Sequence, residues 1–167
     1  FMGSGKSSVG KIIAKKLKMK FVDTDSEIER NARKTINDMF EKSGETGFRK
    51  LERKAITSVC KKENCVVSVG GGAILNILNT SLMRSTGKVV LLGAKPKTIV
   101  SRLNGEGTRP LLLGLNTNQR LIRARQLLRL RDPYYALAKD FEVNTDNKNL
   151  EKITKEIITI LNSGAKT

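Results

Sequence analysis

Short apolar runs and longer amphipathic stretches alternate along this chain. VVSV and VVLL are continuous rather than alternating, the pattern of parallel strands covered on both faces. They predict strands at 65–69 and 87–92, and MKFVDTD and DFEVNT add strands at 20–23 and 140–144. Between and around these, apolar residues recur at helical spacing, which predicts helices over 7–18, 25–42, 46–62, 75–85, 95–104, 117–130 and 149–162. In the first of them Val9, Ile12, Ile13 and Leu17 share a face, and in the last Ile153, Ile157, Ile158 and Leu161 do. Strand–helix alternation implies an α/β fold, here a three-layer, doubly wound parallel sheet with right-handed crossovers. Two stretches break the rhythm. Residues 24–62 are longer than one crossover helix needs, and 104–118, NGEGTRPLLLGLNTN, is a Gly- and Asn-rich loop around one Arg-Pro, a candidate lid. Residues 1–167 otherwise read as a single domain.

The opening FMGSGKSSVG adds chemistry to that frame. Gly5, Lys6 and Ser7 match the last three fixed positions of G-x-x-x-x-G-K-[ST], a loop whose amides cradle phosphates and whose hydroxyl reaches Mg²⁺. The helix behind it would aim its N-terminal amides at the same anion. A Gly/Ser turn capping an ordinary helix is the competing reading. The first Gly of the motif and the strand feeding it would precede Phe1, so the chain reads as truncated by roughly ten residues, without the first of five expected strands.

Composition narrows the classes. The net charge is +16 with a pI near 10.2, which raises nucleic acid as a ligand. The charge is spread along the chain, and aromatics are only 4% with no Trp, so base-stacking platforms are scarce. A phosphorylated small molecule uses positive charge equally well, and no nucleic-acid partner is expected. No apolar run reaches membrane-spanning length. Cys60 and Cys65 make no zinc site and read as buried, reduced thiols of a cytoplasmic protein. There is no His, which excludes an imidazole base.

Several constellations are individually weak. Asp23 and Asp25 close FVDTD; a spacing of two puts both at the strand's C-terminal end, where open α/β sheets bind ligands. The same stretch looks like a helix start, with Asp25 or Ser26 capping while Asp23 does chemistry. Arg49 and Glu52, three apart on a helix, read either as a surface ion pair or as an arginine fork oriented for a carboxylate. Gly70, Gly71 and Gly72 after a buried strand carry an entropic cost that makes sense where backbone approaches a ligand. Ser68 stands where many nucleotide-binding folds have a carboxylate. Arg109, beside Pro110 in the candidate lid, and Arg131 before DPYYALA would by themselves be assigned to solvent.

In order, GSGKSS, FVDTD, FRKLE, GGG, RPLL and RDPYY resemble the shikimate kinase family: a Walker A loop, D-x-D, F-R-x-x-E, a glycine triplet, a lid R-P-L and R-x-P-x-Y. The resemblance covers nearly the whole chain. It implies ATP-dependent phosphorylation of the 3-hydroxyl of shikimate, with Mg²⁺, in aromatic amino-acid biosynthesis. ATP would be bound by Gly3, Ser4, Gly5, Lys6, Ser7, Ser8, Arg102 and Arg109. Ser7 would hold the metal directly and Asp23 through water. Lys6, Asp25 and Arg109 would be catalytic, Asp25 taking the acceptor proton and Arg109 closing over the phosphates. Shikimate would contact Asp25, Arg49, Glu52, Gly70, Gly71, Gly72 and Arg131, with Arg49 and Arg131 on its carboxylate. Residues 24–62 would be the acceptor-binding insertion. VNTDNKN keeps Thr145 in the adenine loop but lacks a Pro common there. A cytoplasmic monomer with no membrane partner is expected. Two other classes remain as competitors: another small-molecule kinase acting on gluconate or a nucleoside monophosphate, and a non-catalytic nucleotide-binding homologue.

Overall fold

A computed structural model of the protein describes residues 1–103 and 110–164. Helix α1 (Lys6–Lys16) leads into β1 (Lys20–Asp23), then α2 (Thr24–Ala32) and α3 (Ile36–Val59). β2 (Cys65–Ser68), a 3₁₀ turn (Ala73–Leu75), α4 (Ile77–Thr86) and β3 (Val90–Gly93) follow. α5 (Pro96–Arg102), a second 3₁₀ turn (Pro110–Leu112), α6 (Thr117–Ala138), β4 (Phe141–Asn144) and α7 (Leu150–Asn162) complete the chain.

The strands form two parallel pairs, β1 with β2 and β3 with β4. The α/β class and the parallel pairing match the expectation, while the strand expected ahead of Gly5 is not among the described residues. The register sets Asp23 opposite Ser68 and Gly93 opposite Asn144, so both ladders end level at their C-terminal edge. α1 lies close on β1 and β2 because Gly10 carries no side chain: a Cβ there would meet the Phe21 ring at 2.7 Å. Val9, Ile13, Leu92, Val143, Ile153 and Ile157 then make one core joining α1, β3, β4 and α7. Ile74, Ile99, Leu103, Leu127 and Tyr135 belong to a second, between α5 and α6.

The 24–62 segment carries its own small core of Ile28, Met39, Phe48 and Ala55. Its expected helix 25–42 is broken after Ala32. Arg33 turns left-handed, Thr35 and Asp38 form a reciprocal cap, and Glu29 accepts the Ile36 amide at 3.0 Å. The next helix starts at Ile36 and runs to Val59 through a kink at Gly44 (φ 64°, ψ −177°). The helix predicted to stop at 130 continues to Ala138 with Pro133 inside it, so RDPYY is helical. Within the candidate lid, Leu112 is buried in the second core with Leu111 and Leu115 against it, and 104–109 lie outside the described residues. Cys60 and Cys65 are free thiols but half-buried rather than buried. No helix among the described residues is long and apolar enough to cross a membrane.

Candidate active site

The site sits at the C-terminal edge of the β1–β2 ladder. Gly5 caps α1 at φ 90°, a left-handed conformation that costs little only for glycine. Gly3 is also left-handed (φ 70°), and a Cβ there would press on the Ile99 carbonyl at 3.2 Å. The turn between them folds inward: the Ser4 hydroxyl donates to the Phe1 carbonyl at 2.8 Å and the Lys6 ammonium to the same oxygen at 2.7 Å. Ser4 is buried, which leaves its backbone, not its hydroxyl, for a ligand. Ser7 and Ser8 are exposed at the start of α1.

Ser7 donates to Asp23 Oδ2 at 2.6 Å and lies 3.3 Å from the Ser68 hydroxyl. Asp23 uses its other oxygen to cap α2, accepting the amides of Asp25 and Ser26 at 3.0 and 3.4 Å. This corrects the sequence reading of FVDTD. The strand ends at Asp23, which is itself the cap, and Asp25 belongs to the first turn of α2 rather than to the strand face. The donor set fits Mg²⁺, a hard cation that takes oxygen ligands and keeps several waters: a hydroxyl and a carboxylate converge, with phosphates and water left to complete an octahedron. Among the described residues no cluster of three or more His, Cys, Asp or Glu offers an all-protein metal cage.

The glycine triplet faces a second group of side chains. At Gly70 a Cβ would stand 2.8 Å from Asp25 Oδ1 and 2.9 Å from Glu52 Oε1; at Gly72 it would lie 2.3–2.6 Å from the Arg49 guanidinium. Thr24 holds the loop, donating to the Ser68 carbonyl at 3.3 Å and accepting the Gly70 amide at 3.2 Å. The Tyr135 hydroxyl donates to the Gly71 carbonyl at 2.7 Å, which ties the loop to α6. Arg49 gives one nitrogen to Glu52 at 2.8 Å and two to Glu45, at 2.6 and 3.2 Å. Burial works against charge on Arg49, but Glu52 and Glu45 more than offset it and hold its pKa above the ordinary value. Glu52 is only 1% exposed, and that burial pushes its carboxyl up against the pull of Arg49, with Asp25 adding to the rise. Burial likewise raises Tyr135, against the nearby charges of Arg131 and Arg49. Arg131 is buried, with its guanidinium 5.7 Å from the Phe1 ring centre.

At the far side Arg102 donates to the Thr145 carbonyl at 2.7 Å and hydroxyl at 3.0 Å, and to the Gly3 carbonyl at 3.4 Å. It links the start of the chain to the β4–α7 turn. Arg109 lies outside the described residues. Three contributors carried no functional reading in the sequence. Thr24 is hidden between two aspartates, and Tyr135 was legible only as part of a motif. Glu45 is detectable by its spacing of four from Arg49.

A family model described as shikimate kinase matches residues 2–162. The chain belongs to the shikimate kinase family. A curated shikimate kinase of Caldicellulosiruptor saccharolyticus is 42% identical over 160 residues, covering 96% of this chain and 91% of the relative. One from Sulfurihydrogenibium sp. is 45% identical over 159 residues, covering 95% and 92%. Among solved structures, shikimate kinase from Acinetobacter baumannii in complex with shikimate superimposes with a TM-score of 0.92 at 32% identity, covering 99% of this chain and 91% of that one. The Aquifex aeolicus shikimate kinase gives 0.76 at 31% identity, covering 98% and 93%.

Two outcomes follow from the Arg49–Glu52–Gly72 geometry. Gly72→Ala forces the flexible Arg49 head aside rather than the backbone, so kcat/KM for a carboxylate acceptor should fall ~10- to 100-fold with little change in melting temperature. Steady-state kinetics beside thermal unfolding reads both. Because the Glu52 pKa is raised on folding, the native state binds that proton more tightly than the unfolded chain. Its contribution is therefore most favourable below the ordinary carboxylate range and is lost as pH rises through the raised native value. In urea unfolding at a series of pH values, Glu52→Gln should gain stability relative to wild type as pH rises across that window. A pH-independent difference would contradict the assigned shift.

Proposed function

We propose that this protein transfers the γ-phosphoryl group of ATP to the 3-hydroxyl of shikimate, giving shikimate 3-phosphate and ADP on the route to the aromatic amino acids. The observation that carries the reading is the convergence of Asp25, Glu52 and Arg49 on the glycine triplet. A cation held by a buried carboxylate suits an acceptor that is itself a carboxylate. A neutral sugar or a nucleobase has no use for it.

Phosphoryl transfer depends on positioning and charge neutralisation more than on covalent help. Lys6 and the amides after Gly5 take the phosphates. Ser7 and Asp23 would hold Mg²⁺, which when bound offsets phosphate charge. Arg49 and Arg131 grip the shikimate carboxylate, and Glu52 keeps the Arg49 fork planar to it. Gly70, Gly71 and Gly72 let the ring lie against backbone. Asp25 accepts the hydroxyl proton as the new O–P bond forms and the bond to the ADP oxygen breaks. Arg102 flanks the adenine and Arg109 covers the phosphates. Residues 24–62 bind the acceptor, and 104–118 act as lid. The protein works as a cytoplasmic monomer.

Asp25→Asn keeps the shape and removes the proton acceptor. Turnover should fall by ~10² or more while ATP affinity stays within a few-fold, measured by coupled ADP release and by nucleotide titration. Unchanged turnover would remove Asp25 from the chemistry. Arg49→Lys loses the planar fork, and KM for shikimate should rise ~10-fold or more, the scale of a charge-assisted hydrogen bond. An unaltered KM would reduce Arg49 to a structural ion pair.

A further inference from the structure

The donors of Arg49 are divided unevenly. Glu52, 2% exposed at its side chain, takes only Nη1, at 2.8 Å. Glu45 Oε1 takes both Nε and Nη2, at 3.2 and 2.6 Å. That is the two-donor edge with which a guanidinium meets a carboxylate bidentately. Gly72 lies against the same head group: a Cβ there would fall 2.3–2.6 Å from its Cζ and terminal nitrogens. The Glu45 carboxylate is 49% exposed, so it can leave for water, whereas that of Glu52 cannot. Its position has a local cause. Gly44 breaks helical geometry one residue earlier, and Glu45 opens the following turn four residues before Arg49.

We infer that Glu45 is a further acceptor-site residue, one that occupies the carboxylate-binding edge of Arg49 until the acceptor's own carboxylate replaces it. Glu45 is thus an internal stand-in for the acceptor carboxylate. An acceptor bearing that group restores both hydrogen bonds on displacing Glu45. An uncharged analogue does not, and leaves Arg49 closed. The exchange lowers acceptor affinity by the worth of a half-exposed ion pair, a factor of about two to five. The cost falls on charged acceptors alone, because a neutral ring leaves the Glu45–Arg49 pair in place. The inference rests on the assignment of Arg49 to the shikimate carboxylate.

The test compares wild type, Glu45→Gln, Glu45→Ala and Arg49→Lys with shikimate and with its uncharged methyl ester. Both acceptors are assayed by steady-state kinetics and by calorimetric binding. Removing the Glu45 charge should lower KM and Kd for shikimate about two- to five-fold, with kcat and KM for ATP unchanged and ester binding unaltered. If shikimate affinity is unchanged or weaker in both Glu45 variants while Arg49→Lys still loses affinity, Glu45 is a brace or a bystander and the inference falls with the Arg49 assignment intact. An equal gain for the ester also overturns it, because the effect then has nothing to do with the carboxylate. If Arg49→Lys binds shikimate as wild type does, the assignment itself fails and takes the inference with it.

Discussion

The Glu52 carboxylate is held almost out of water, and most of the site follows from what it then requires. A buried charge is tolerated only when paired and hydrogen-bonded. Here the partner is Arg49, one helical turn away on α3. Their pairing fixes the guanidinium against Gly72 and brings a Glu52 oxygen to Gly70, so neither position has room for a side chain. Glycines at 70 and 72 are thereby explained as clearance for charged side chains, and Gly71 as clearance for the Phe1 backbone. The same loop is held from its other side by Tyr135, which ties it to α6.

Asp23 does comparable service at the phosphate end. One carboxylate ends β1, caps α2 through two amides and accepts the Ser7 hydroxyl. The β1–β2 register then sets Ser68 beside the same hydroxyl. A carboxylate is common at the position of Ser68 in related nucleotide-binding folds. A neutral hydroxyl there leaves Asp23 as the single anion touching Ser7 among the described residues. Orientation of the start of α1 and of α2 therefore passes through one side chain, a coupling that suits a reaction whose rate depends on relative positioning.

Much of this was legible in the sequence because it is local. Continuous apolar runs predicted parallel strands, and the i, i+3 spacing of Arg49 and Glu52 foretold their contact. The errors have physical causes. A helix boundary at 33–35 depends on a capping box and on Glu29 reaching seven residues ahead, which apolar periodicity does not register. Extension of α6 through Pro133 is permitted because the buried side of the helix, at Leu127, Arg131, Tyr135 and Ala138, holds it by packing. From the sequence the cap of α2 reads as Asp25 or Ser26 rather than Asp23, because all three suit a helix start, and only the end of the β1–β2 ladder decides between them. Glu45 and Thr24 act through tertiary placement: one needs the Gly44 kink, the other a loop that arrives more than forty residues later.

The measurement that bears most directly on this account is ADP release from Mg·ATP by the protein, with shikimate, gluconate or CMP as acceptor, and with none. An acceptor site built on a buried carboxylate–arginine pair predicts ADP formation in step with shikimate and only background with CMP, which has no carboxylate, or with no acceptor. Gluconate has the carboxylate but not the ring that the glycine loop would line, and should also give only background. Turnover with CMP but not shikimate would keep the phosphate-binding half of the site and contradict the role given to Arg49 and Arg131, and turnover with gluconate but not shikimate would keep a carboxylate grip and contradict the ring acceptor. A folded, ATP-binding protein that releases no ADP with any of them would contradict the kinase reading as a whole.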